Sequence, residues 1–127
     1  MRRLRRAFAC VLLPIVLAPL AAAAQEVQRQ RAPVVIANRT IIELRGPIAG
    51  YSAEERAKAS TARIEAALEA EPKGEVSFGD HEGGTRVRVA GRHAFLVTKI
   101  DIDEAAGETQ QLVAAEAAKR LRAAIAG

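Results

Sequence analysis

Three short stretches of this 127-residue sequence carry side chains suited to chemistry. Asp80-His81-Glu82, with His93 further along, offers the carboxylates and imidazoles from which metal sites are made. Such a site needs two turns to meet. They sit at opposite ends of a strand expected over Thr85–Ala90, roughly 20 Å apart at normal strand rise. Asp101-Ile102-Asp103-Glu104-Ala105-Ala106-Gly107-Glu108 begins like a calcium loop, but its fifth position is Ala105, its glycine falls seventh and its twelfth residue is Leu112. It reads as a solvated loop ahead of a helix. Arg39 and Arg92 stand at matching places beside Asn38 and Gly91, where two guanidinium groups could grip an anionic partner or lie solvated on turns. Ser52 precedes Glu55 by three residues, the spacing of a helix-capping box, and Ser60 and Thr61 fall on the face of the same helix. No Gly-x-Ser-x-Gly elbow, phosphate loop or His-Glu-x-x-His pair occurs. The expectation is a non-catalytic protein without metal or cofactor, in which Arg39 and Arg92 are the candidate partner contacts.

The elements that would position these residues are organised around a pattern that occurs twice. Val34-Val35-Ile36-Ala37-Asn38-Arg39-Thr40-Ile41-Ile42 and Val87-Arg88-Val89-Ala90-Gly91-Arg92-His93-Ala94-Phe95 each run from a β-rich stretch through Ala, then Asn or Gly, then Arg, into a second apolar stretch. Asn and Gly tolerate the positive φ of tight hairpin turns. The spacing therefore predicts strands over 34–37 and 40–45 around a turn at Asn38-Arg39, and strands over 85–90 and 94–100 around a turn at Gly91-Arg92. A short strand over 75–78 and a loose turn over 79–84 precede the second hairpin. Between the hairpins, Ser52 to Glu71 is rich in Ala, Glu, Lys and Arg, and Pro72 and Gly74 stop it. Ala53, Ala57, Ser60, Thr61, Ile64, Ala67 and Leu68 form its inward stripe. A second helix, capped by Thr109, runs to about Ala126 with Leu112, Val113, Ala117, Leu121 and Ile125 as its stripe. Neither hairpin–helix unit can bury its apolar face alone. The expected fold class is α+β: two ββα units forming one mainly antiparallel sheet of four or five strands, with both helices on one face.

The remaining composition sets the setting. Arg2, Arg3, Arg5 and Arg6 followed by the apolar stretch Ala7 to Leu20 and by Ala22-Ala23-Ala24 make up a secretory signal peptide over residues 1–24. The apolar run is shorter than the roughly 20 residues a membrane span needs. A polar leader over 25–32 and a domain over 33–127 follow. Removing the four signal arginines from 19 Lys+Arg leaves 15 against 15 Asp+Glu, a net charge of zero. The basic pI of about 9.8 thus belongs to the signal, and a nucleic-acid partner loses its support. Cys10, the single cysteine, lies in the signal, so the exported chain can form no internal disulfide. The aromatics beyond it are Tyr51, Phe78 and Phe95, too few for a stacking platform or an aromatic cage, and no small-molecule substrate is evident.

V-V-I-A-N-R-T-I-I-E-L-R-G-P from Val34, Y-S-A-E-E-R-A from Tyr51, and V-R-V-A-G-R-H-A-F-L-V-T-K-I-D-I-D-E-A-A-G-E-T from Val87 together resemble the N-terminal periplasmic domain of some MscS-like (small-conductance) mechanosensitive ion channels. The resemblance covers about residues 33–126. It implies a periplasmic, non-catalytic accessory domain whose partner is the channel's own membrane domain or an envelope protein. After the signal no apolar run of 18 or more appears, so this chain as given carries no pore. It is expected to be either a fragment of such a channel or, alternatively, a free-standing periplasmic module that binds a protein or an envelope polymer.

Overall fold

Two-residue turns of one type set both hairpins. Ala37 (φ 49°) and Asn38 (φ 61°), then Ala90 (φ 52°) and Gly91 (φ 73°), are left-handed at both central positions, the type I′ geometry whose twist matches flanking strands. The computed structural model describes residues 30–127. The signal peptide and most of the leader expected from sequence lie outside the described residues. β1 (Ala32–Ile36) pairs antiparallel with β2 (Arg39–Leu44), and β3 (Val76–His81), β4 (Gly84–Val89) and β5 (Arg92–Val97) form an antiparallel meander. Each turn lies one residue earlier than the spacing suggested. Arg39 and Arg92 are therefore the first residues of β2 and β5, not turn residues, and Ala32 belongs to β1 instead of the leader.

The β1-β2 and β4-β5 hairpins also carry a bulge at the same place. The register skips Ile41 between the pairs Val35–Thr40 and Val34–Ile42, and skips Ala94 between Arg88–His93 and Val87–Phe95. An extra residue lets two consecutive side chains face inward, so Ile41-Ile42 and Ala94-Phe95 are both buried, which strict alternation would forbid. Every one of these positions corresponds at an offset of 53, as from Asn38 to Gly91.

The helices correspond too. α1 (Ala53–Ala70) buries Ala57, Ser60, Ile64 and Ala67; α2 (Gln110–Ala126) buries Ala114, Ala117, Leu121 and Ala124, at an offset of 57. Ser52 and Glu55 form the expected capping box, and Thr109 Oγ1 accepts from the Leu112 N–H at 3.1 Å. The stripe expected on α2 holds at Ala117 and Leu121, which are buried, and in part at Val113 and Ile125, which are half-buried; Leu112 is exposed, and Ala114, Ala118 and Ala124 complete the contact.

The class is α+β, as the pattern implied, but the strands form two sheets, β1-β2 and β3-β4-β5, instead of one. Both helices bridge them around a single core: α1 packs against β1 and β5, and α2 against β2, β3 and β4. The outer edge of β5, where a fused sheet would continue, is occupied by α1. Arg56 Nη2 donates to the Leu96 carbonyl at 3.3 Å and Arg63 Nη1 to the Ala94 carbonyl at 3.5 Å. At the far edge Arg122 Nη2 donates to the Val76 carbonyl at 2.8 Å. Side-chain donors thus stand where another strand would have paired.

The turn geometry is open to test. Gly91→Val places a β-branched residue at positive φ and should lower stability by about 2 kcal/mol. Gly79→Val, within β3 and with nothing within 4 Å of the new Cβ, should leave the urea midpoint nearly unchanged. Equal losses at the two sites would rule out the type I′ turn.

Candidate functional site

Among the described residues the densest polar cluster is built from three segments far apart in sequence. The capping box places the first turn of α1: Glu55 N–H donates to Ser52 Oγ at 3.1 Å and Ser52 N–H to Glu55 Oε2 at 2.9 Å. Arg56 follows and turns inward. Its guanidinium meets Asp101 in a fork, Nη1 to Oδ1 at 2.9 Å and Nη2 to Oδ2 at 2.8 Å, and Nη1 also donates to the Gly46 carbonyl at 2.7 Å. Asp101 closes a short 3₁₀ turn, Lys99–Asp101, directly after β5. Its carboxylate further accepts from Thr98 N–H (3.0 Å), Thr98 Oγ1 (3.1 Å) and Arg45 N–H at the end of β2 (3.1 Å). The Asp101 side chain is 0 % exposed and that of Arg56 11 %.

Burial by itself would raise the Asp101 pKa. The hydrogen bonds from Arg56 and from the N–H groups of Thr98 and Arg45 outweigh it and hold the carboxyl below its ordinary range. A sealed carboxylate with five donors on two oxygens has no lone pair free for a substrate proton or a cation. It ties β2, α1 and β5 together. The expectation of a solvated loop therefore fails at Asp101, because charge complementarity with Arg56 compensates its burial. The following segment behaves as a capped turn: Asp103 Oδ1 accepts from Ala106 N–H at 3.2 Å, and Glu108 Oε1 from Asp103 N–H at 2.7 Å. Arg45 Nη2 lies 3.5 Å from Glu108, while its Nε is sealed without a partner.

The other residues singled out from sequence are dispersed. Asp80 Oδ1 accepts from Gln111 Nε2 at 3.3 Å, and His81 Nε2 lies 2.6 Å from Arg86 Nη2. Glu82 is exposed in the β3–β4 turn. His93 is the second residue of β5 opposite Arg88, whereas His81 lies opposite Gly84. The two histidines are thus offset by four residues along β4, about 13 Å, not by the full strand. No group of three or more His, Cys, Asp or Glu among the described residues could hold a metal ion. Ser60 Oγ donates to the Arg56 carbonyl at 2.8 Å. Arg39 is exposed, and its guanidinium lies about 3.5 Å from where a side chain on Gly127 would begin, at the end of α2, where a cation complements the helix dipole. Arg92, its counterpart, is exposed at the start of β5.

Sequence reasoning missed the pairing of Arg56 with Asp101 because they are 45 residues apart and no motif links them. One local signal existed. Arg56 falls three residues from Ala53 and four from Ser60, on the edge of the small-residue stripe where a long cation has to find a buried partner.

Fold and cluster together define a two-unit α+β domain fastened by a buried ion pair. The chain belongs to the family described as "Domain of unknown function (DUF8459)", whose model matches residues 33–127. Neither a curated protein nor a solved structure matches it.

Breaking the pair should be costly. Asp101→Ala or Arg56→Ala leaves one charge buried alone and should destabilise by about 3–5 kcal/mol, read as a lower urea midpoint at constant slope. Asp101 has a folded pKa below its unfolded value of about 3.9, so its contribution is complete above that pH and is lost as the pH falls through the folded pKa. Asp101→Asn should accordingly flatten the acid limb of the stability curve below about pH 4. An unchanged acid limb would refute the pairing.

Proposed function

We propose that residues 33–127 form a non-catalytic periplasmic accessory domain of an MscS-like mechanosensitive channel. It acts by packing against the channel's membrane domain or an envelope protein, with an influence on assembly or gating. The observation that best supports this reading is where the resembling segments fall. The stretch from Val34 to Pro47 covers most of β1, its turn and β2; Tyr51 to Ala57 covers the capped start of α1; and Val87 to Thr109 covers the end of β4, β5 and the Asp101 turn. The shared pieces are thus those that build the scaffold and its central ion pair. The secretory signal read at the N-terminus supports a periplasmic location. No helix among the described residues is long and apolar enough to cross a membrane.

The reading predicts that the locus continues past the Gly127 codon into apolar stretches of about 20 residues each, in this frame or after a single frameshift. Sequencing the genomic DNA through that codon checks it. A stop codon followed by unrelated sequence would overturn the channel reading in favour of a free-standing binding module. For such a module, Arg39→Ala with Arg92→Ala should abolish capture of its partner at an unchanged melting temperature, and a fall in melting temperature would mark these arginines as structural.

A further inference from the structure

The face of the β3-β4-β5 sheet turned away from the core is cationic. β4 points Thr85, Val87 and Val89 inward, and Arg86 and Arg88 outward. The register sets Ser77 opposite Arg88, Gly79 opposite Arg86, and His93 opposite Arg88 on the other side. Gly79 has no side chain, and nothing lies within 4 Å of where one would project, so the surface is open there. The resulting hollow, about 250 Å³, is flanked by Ser77, His81, Arg86 and Arg88.

Its arginines have no anionic partner among the described residues. Arg86 Nε is sealed from solvent and has no hydrogen-bond partner. Arg86 Nη2 leans on His81 Nε2, which as an acceptor requires the neutral imidazole. No carboxylate pairs with Arg86 or Arg88 among the described residues. The one acid on the rim, Asp80, is drawn toward α2 by Gln111. The surrounding potential is positive: burial lowers the His93 pKa most, and Arg63, Arg86, His81 and Arg88 lower it further.

We propose that this hollow binds a phosphoryl group. The guanidinium groups of Arg86 and Arg88 supply charge-assisted donors and the Ser77 hydroxyl a third, with Gly79 as the floor that lets a tetrahedral anion approach the strand. Guanidinium pairs favour phosphate because their planar forks match its oxygens and a dianion offsets both charges. A phospholipid headgroup and a soluble phosphomonoester present the same group, and both fit the open hollow.

Titrating the full chain with glycerol 1-phosphate by calorimetry and amide NMR tests this. Saturable binding with shifts confined to residues 77–88 and 93 is expected. Gly79→Val fills the hollow but keeps every charge, and should weaken binding at least about tenfold. Arg86→Gln with Arg88→Gln should abolish it, and both variants should keep the wild-type melting temperature. Arg120→Gln, on α2 and paired with Glu116, is the control and should bind as wild type. Should Gly79→Val not fold, the double arginine variant still decides the matter.

Co-sedimentation with phosphatidylcholine vesicles, with and without phosphatidylglycerol, separates the sources. Pelleting that glycerol 1-phosphate competes away identifies the headgroup. Binding of glycerol 1-phosphate without pelleting identifies a soluble phosphomonoester. No saturable binding, or wild-type affinity in a folded Gly79→Val, would overturn the proposal and leave only diffuse surface charge.

Discussion

A guanidinium and a carboxylate held out of water, Arg56 and Asp101, are the constraint on which the two halves of this fold depend. Desolvating both charges is expensive, and their attraction offsets that cost only when the geometry is good and the remaining lone pairs are satisfied. Here the fork is bidentate, and Thr98 and the Arg45 backbone complete the carboxylate. The ends of β2 and β5, which share no ladder, are joined through it. The pair also makes two similar halves unequal. At the α2 position corresponding to Arg56 stands Val113, and Arg120, corresponding to Arg63, pairs with Glu116 on its own helix. The helix–strand cleft lined by Arg56, Ala59, Ser60 and Arg63 and the one lined by Val113, Glu116, Ala117 and Arg120 are therefore matched in position but differ in polarity. A helix seated in the wrong cleft would bury Arg56 without Asp101.

What was legible in the sequence is what local forces decide. The Ser52–Glu55 box, the Thr109 cap, the wet face carrying Arg86 and Arg88, and the strand and helix order all rest on neighbours a few residues away. The turns lie one residue earlier than the pattern suggests because Ala is a poor left-handed residue, whereas Asn38 and Gly91 favour that conformation. In the fold, Ala37 and Ala90 accept that conformation so that Ile36–Arg39 and Val89–Arg92 can close the ladders. The bulges at Ile41 and Ala94 left no periodic trace, since an inserted residue breaks the alternation by which strands are recognised.

The split into two sheets and the burial of Asp101 were not legible, for one reason: both come from α1 side chains reaching across to β5 and beyond. Arg56 and Arg63 take the edge carbonyls that a fourth strand pair would have used, and Arg56 then supplies the counter-charge that draws Asp101 inside. A pattern read along the chain sees a polar loop and an amphipathic helix, each ordinary by itself. Arg39 and Arg92 stood out by repetition, whereas the cluster around Gly79 forms only when β3 and β4 are laid side by side.

One placement has a mechanical meaning. β1 starts at Ala32, opposite Leu44, while α2 ends beside Arg39 at the other end of the same hairpin. Tension applied between these two points would run along the strands of β1 and β2 instead of across them. The ladder would then be loaded in shear, with its hydrogen bonds sharing the force together, and would not peel open one bond at a time. Under such a load the hairpin would extend little.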